Sequence, residues 1–205
     1  MLHAVQGLDH PAHERLIASM FADRKRVFVD LLKWDVPHDA VSERDEFDGA
    51  QAEYLIFAQG DDHIASLRLL RTDRPHLLGA VFSDLVEGDV PSGEDIREIS
   101  RFCISPRHRG EIRLRARRLL ATALTEYALV SGLTAYTAVA HVSRMSNLFA
   151  TGWRVKPLGL PDLGAQHPAG ALMIEIDTAT PQLLRRSGRY EHETLHFANP
   201  IPIAA

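Results

Sequence analysis

The stretch "REISRFCISPRHRGEIRLRARRLL", residues 97–120, decides the fold. Residues 97–104 read as a strand, with Phe102 and Ile104 as its apolar body. Ser-Pro and Arg-Gly then mark a loop, and a helical pattern follows from 109 to 132. Its apolar positions (Ile112, Ala116, Leu119, Ala123, Leu124 and Tyr127) share one face, and Gly132 is the stop. "LTAYTAVA", 133–140, is a strand again. The same stretch is electrically odd. Its eight arginines stand against Glu98 and Glu111, a balance of +6 in a chain of −4, so −10 remains for everything else. Segregated charge points to a partner of opposite sign: nucleic acid, a phosphorylated cofactor or an acidic protein.

Working outward, residues 12–32 predict an amphipathic helix, with Leu16, Met20, Phe21, Val27, Phe28 and Leu31 on one stripe. Arg24 falls on that stripe, an odd place for a cation. Residues 33–51, "KWDVPHDAVSERDEFDGAQ", read as an acidic loop. "EYLIFAQ" and "HIASLRLLRT" predict a hairpin across a Gly-Asp-Asp turn, and residues 75–95 mix loop with a short helix. "SRMSNLFATG" is a helix and "ALMIEID" a last strand. Strands alternating with helices predict a single α/β (α+β) sandwich over residues 1–205, a mixed central sheet flanked by helices.

Two hundred and five residues suffice for one full core. No run approaches the roughly 20 apolar residues of a bilayer span, and the N-terminus has acids and histidines where a signal peptide needs a basic start. A cytoplasmic location without membrane contact is expected. Cys103 is the single cysteine, which excludes an internal disulfide and a cysteine-based metal site. The eleven histidines show no HExxH spacing, and His10 and His13, beside Pro11, read as surface groups. No metal is expected.

Arg68 shares a strand face with Ile64 and Leu70, so like Arg24 it points inward. A buried guanidinium needs a carboxylate, and the acidic loop offers Asp45 and Asp48. The alternative is that all four lie on the surface. Such a charge cluster suits a zwitterionic small molecule. On the 97–104 strand, alternation puts Glu98 with Ser100 on one face and Arg101 on the other; for Glu98 and Arg101 to act together the strand must bulge. The plain alternative is an ion pair at a strand end. Arg107 and Arg109 ring a loop with a glycine at a helix start, a weak anion-site signal.

Arg24, Phe28, Trp34, Asp45, Asp48, Arg68, Glu98 and Arg101, with "RKRVFVDLLKW", "DEFD", "SLRLL", "EISRF" and "TGWRV", resemble the acyl-homoserine-lactone synthase (LuxI-type autoinducer synthase) family over residues 15–176. The resemblance implies a fold similar to the N-acetyltransferase (GNAT) fold. It implies S-adenosylmethionine as the substrate that supplies the amine, an acyl thioester on acyl carrier protein or coenzyme A as donor, and no further cofactor. Acylation would be followed by lactone closure and release of 5′-methylthioadenosine.

On that resemblance Glu98 is the base, oriented by Arg101 with Ser100 as helper. Arg24, Asp45, Asp48 and Arg68 grip S-adenosylmethionine, and Phe28 and Trp34 offer ring faces to it. Phe102 and Thr137 line the acyl pocket, Thr137 being the position linked to a 3-oxo group. Arg107, Arg109, Arg113 and Arg117 receive the pantetheine phosphate and an acidic carrier. Two other classes stay open: a conventional N-acetyltransferase using acetyl-coenzyme A, and a non-enzymatic nucleic-acid-binding domain. The −10 balance outside the arginine run and its few aromatics argue against nucleic acid.

Overall fold

In the computed structural model, which describes residues 1–8 and 10–199, the chain opens on a strand the periodicity did not reveal, β1 (Leu2–Gln6). The helix expected over 12–32 is three segments: a 3₁₀ turn at Pro11–His13, α1 (Glu14–Arg24) and a π-helical segment (Lys25–Leu31). The Leu32 amide donates to the Val27 carbonyl five residues back, and Lys33 ends the segment with φ of +57°. The wider turn rotates the last residues off the α-helical stripe. Leu31, expected in the core, is therefore 62% exposed. Such π segments are rare and concentrate near functional sites.

The chain folds into two units. The first takes in Met1–Leu69, Arg101–Ala123 and residues 191–199. Its hairpin is β2 (Glu53–Gln59) and β3 (Asp62–Arg71), turning at Gly60 with φ of +59°. β1 lies antiparallel on β2, and a late strand, β8 (Leu195–Phe197), runs parallel to β1. Its strand order is thus β8-β1-β2-β3.

The second unit takes in Leu70–Ser100 and Leu124–Tyr190. It holds α2 (Leu77–Val81), the start of β4 (Ile96–Ile104), β5 (Ala135–His141), α4 (Val142–Phe149), β6 (Arg154–Pro157), β7 (Ala169–Glu175) and α5 (Thr180–Arg186). β4 pairs parallel with β5, β5 antiparallel with β7, and β7 antiparallel with β6. Parallel and antiparallel pairs thus coexist, as expected of a mixed sheet. Leu78, Leu85 and Ala171 form an apolar cluster with Phe82, Val139 and Leu158. The Trp153 indole donates to the Thr125 hydroxyl at 3.0 Å, which satisfies the one polar group of a buried ring.

α3 (Glu111–Ser131) is the predicted long helix. Ala116, Leu119, Ala123, Leu124 and Tyr127 are all buried, and Gly132 follows with φ of +72°. Each buried leucine on this face stabilises by about 1.5–3 kcal/mol. No helix among the described residues is long and apolar enough to cross a membrane.

Candidate active site

The inward-pointing arginines of the first unit belong to a closed ring of alternating charge. Arg24, at the C-terminal end of α1, grips Asp48 with both terminal nitrogens at 2.8 Å and Glu43 through Nε at 2.6 Å. Glu43 also accepts from Arg101 Nε at 3.0 Å, and Arg101 Nη2 meets Asp45 at 2.7 Å. Asp45 accepts from Arg68, and Arg68 Nη1 lies 2.9 Å from Asp48, which closes the circuit. Every cation bridges two anions, and every anion two cations. Tyr54 donates its hydroxyl to Asp48 at 2.9 Å.

The side chains of Arg24, Glu43, Asp48 and Arg68 are 0–1% exposed, whereas Asp45 and Arg101 reach 7%. Burial alone would raise the Asp48 carboxyl, but Arg24 and Arg68 outweigh it and hold the group well below the usual carboxylate range. Burial would likewise lower Arg24, and Asp48 and Glu43 reverse the sign. A buried ion pair seldom outperforms an apolar core in stability. What the ring gives is fixed geometry, with one carboxylate and one guanidinium at its accessible edge.

Arg101 has φ of +51°, the left-handed region, in the interior of β4. The strand therefore breaks its alternation there. A non-glycine residue in this region costs about 1–2 kcal/mol, held here by the bonds to Glu43 and Asp45. Phe28, in the π segment, is buried; its ring stacks on Trp34 at 4.9 Å and lies 5.6 Å from the Arg101 guanidinium. Of the two expected ring faces, the half-buried Trp34 is the one turned outward.

In the second unit Glu98 is fully buried, and both its oxygens accept from the Leu78 amide, at 3.0 and 3.1 Å, in the first turn of α2. Across the ladder Glu98 pairs with Thr137. The Thr137 hydroxyl is buried and has no hydrogen-bond partner, a state that costs about 1–3 kcal/mol. Ser100 is buried in the same strand. Phe102, expected in the apolar body of that strand, is 45% exposed, because the reversal at Arg101 turns it outward. Cys103 is buried, and burial pushes its thiol upward. A thiol reagent is expected to leave Cys103 unmodified in the folded protein and to label it on unfolding, which mass spectrometry reads directly.

The arginine run is less open than its sequence suggests. Arg107 is exposed but tied down: it meets the buried Asp23 at 2.8 Å, the His63 carbonyl at 3.1 Å and Asp62. It anchors its own loop instead of standing free for a phosphate. Arg115 and Arg118 pair with Glu191, and Arg115 also with Glu193. Arg113 makes only a long contact, 3.4 Å, to the Ser105 carbonyl, and Arg109 is exposed. Arg117 is half-buried beside them.

Residues 10–189 match the family described as autoinducer synthase, a span that takes in most of both units. The chain belongs to the autoinducer synthase family. An acyl-homoserine-lactone synthase of Agrobacterium fabrum is 30% identical over 87% of each chain. The solved structure of BjaI, a CoA-dependent acyl-homoserine lactone synthase with SAM and isopentyl-CoA, superposes with a TM-score of 0.85 at 26% identity, covering 98% of this chain and 94% of that one. An N-acetyltransferase from Lactobacillus plantarum shares the fold alone, with a TM-score of 0.57 at 21% identity over 86% of this chain and 99% of that one.

Two members of this autoinducer synthase's charge cluster escaped the sequence reading. Glu43 was one acid among several in a loop. A count of inward cations that included Arg101 would have demanded a third carboxylate. Tyr54 reads as an ordinary strand aromatic, and nothing in its local pattern marks its hydroxyl as a support for Asp48.

Proposed function

We infer that the chain is an acyl-homoserine-lactone synthase that acylates the amine of S-adenosylmethionine from an acyl thioester, closes the lactone and releases 5′-methylthioadenosine. The observation that carries this reading is the closed ring Arg24–Glu43–Arg101–Asp45–Arg68–Asp48, which an ordinary acetyl transfer does not need. Asp45 and Arg101, at its accessible edge, suit the ammonium and carboxylate of the substrate, and Trp34 suits its sulfonium or adenine.

An α-ammonium of pKa about 8 must lose a proton before it attacks a thioester, and Glu98 takes it, directly or through water. The sulfonium is already an activated leaving group, so closure needs chiefly a folded substrate. No resident cofactor is required. Thr137 supports an acyl chain bearing an oxygen, which its unpartnered hydroxyl would satisfy. A cytoplasmic setting follows from these substrates.

The test is incubation with S-adenosylmethionine and a panel of acyl thioesters. Methylthioadenosine and an acyl-homoserine lactone should appear together. Acetyl transfer without methylthioadenosine would establish the N-acetyltransferase reading instead. Nucleic acid is disfavoured further by the internal pairing of Arg107, Arg115 and Arg118.

Arg113 and Arg117 on α3, four residues apart, with Arg109 in the loop just before the helix, are the docking surface for an acidic acyl carrier protein, where complementary charge mostly speeds encounter. Arg113→Glu with Arg117→Glu should raise the KM for the carrier several-fold and flatten its salt dependence, leaving the KM for S-adenosylmethionine unchanged. Unmoved constants would mean that the donor docks elsewhere or arrives as coenzyme A.

A further inference from the structure

Three histidines outside the charge ring form a hydrogen-bonded chain whose proton positions are dictated by its last link. His10 Nε2 lies 3.2 Å from the Ala198 carbonyl, which can only accept, so His10 carries its proton on Nε2. Its Nδ1 is then a lone pair, 3.1 Å from His13 Nδ1, which must donate. His13 Nε2 is in turn a lone pair and accepts from His3 Nδ1 at 3.3 Å. With one proton on each ring, every N–H has an acceptor and every lone pair but one has a donor. The one remaining nitrogen, His3 Nε2, is buried and without a partner. His13 turns one nitrogen to each neighbour, which fits a relay of hydrogen bonds and not a metal, and no metal-holding group of three occurs among the described residues.

A proton added at His13 Nε2 would set two N–H groups nose to nose unless His3 moved its own proton to Nε2. One added at His3 Nε2 would create a buried donor with nothing to receive it. The surroundings add to this: His3 faces the N-terminal ammonium and His196 of β8, with only Glu193 opposing, while Asp61 faces His13 and is itself near Arg15.

The chain fastens one segment. His10 holds Ala198, the Ala198 amide donates to Ala4 at 2.9 Å, and β8 pairs with β1 at His3↔His196. Just upstream, Glu193 meets the N-terminal ammonium and Arg115, and Glu191 meets Arg115 and Arg118. We propose that residues 191–199 form a proton-sensitive strap, latched by the His3–His13–His10 hydrogen-bond chain, that pairs with Arg115 and Arg118 at neutral pH and lets go in mild acid. Its release would leave two cations of α3 without their carboxylate partners.

The direction follows from linkage. Burial, then His13 and the N-terminal ammonium, lower His3 from its ordinary value to about 4, and burial with His10 lowers His13. A histidine whose folded pKa is depressed favours the latched state fully above its free pKa of about 6.5 and progressively loses that contribution as pH falls toward its folded value. His3 alone should make the opening equilibrium about 30-fold larger at pH 5 than at pH 8.

Amide hydrogen exchange on the full chain, corrected for intrinsic rates, reads this equilibrium. Protection at Leu195–Ala198 should fall about 30-fold or more from pH 8 to pH 5, while Leu119 in α3 keeps its protection. The double substitution His3→Gln, His13→Gln should abolish the pH dependence. Constant protection in the wild type, or an equal fall in the double variant, overturns the proposal. Should the double variant not fold, nitrogen-15 NMR of the wild type at pH 7.5 decides: protons on His3 Nδ1, His13 Nδ1 and His10 Nε2 are required, and any other pattern refutes the latch.

Discussion

Glu98→Gln is expected to cut turnover by a factor of about 10² or more. Glutamine keeps the shape of the side chain and still offers an oxygen to the Leu78 amide, so α2 should stay in place. What it lacks is the ability to take a proton from the substrate amine. Binding of S-adenosylmethionine should survive, because the charge ring does not include Glu98. The measurement is single-turnover formation of acylated product beside the equilibrium affinity for S-adenosylmethionine. Turnover near wild type would reduce Glu98 to a cap on the first turn of α2. A loss of stability alone, with turnover intact per folded molecule, would say the same.

Asp48→Asn should destabilise the fold by about 3–5 kcal/mol, the cost of stranding buried cations. Asp48 takes both terminal nitrogens of Arg24, lies against Arg68 and accepts from Tyr54, so its neutralisation disturbs three partners at once. Urea unfolding should show a lowered midpoint at unchanged slope, and S-adenosylmethionine should bind more weakly. Acid should act on the same group. The folded carboxyl titrates below its free value near 3.9, so its contribution is complete above that value and drains away as pH falls further. Wild type should therefore lose stability steeply below about pH 4, and Asp48→Asn should show a shallower loss. Equal midpoints for the two proteins would remove Asp48 from the ring's energetics.

The parts of this fold that could be read from sequence are those where one physical demand dominates. α3 buries a continuous apolar face, and the β2–β3 hairpin turns at a glycine, so periodicity found both. β6 is four residues long, mostly exposed, and β8 is three; neither has an apolar rhythm to detect. The switch from α to π at Lys25 is invisible because the same residues satisfy either spacing for a turn, and Leu31 was misplaced for that reason. Arg24 and Arg68 were legible as cations on apolar faces. Their connection through Glu43 was not, since a loop has no period to say which acid faces in. The open appearance of the arginine run was likewise misleading, because Glu191 and Glu193 lie more than 70 residues from the arginines they neutralise.

Three guanidinium groups and three carboxylates sum to nothing. Around a closed circuit of alternating sign even the dipoles largely cancel, so the potential of the ring dies away within a few ångströms of its edge. It cannot draw a substrate in from solution, and added salt has little to screen. Arg113 and Arg117 on α3, with Arg109 in the loop before it, are the opposite case, cations of one sign whose field carries to about a Debye length. The molecule thus divides its electrostatics by range: a long-reaching, salt-sensitive surface that governs arrival, and a short-reaching, salt-indifferent interior that governs orientation once a substrate has arrived.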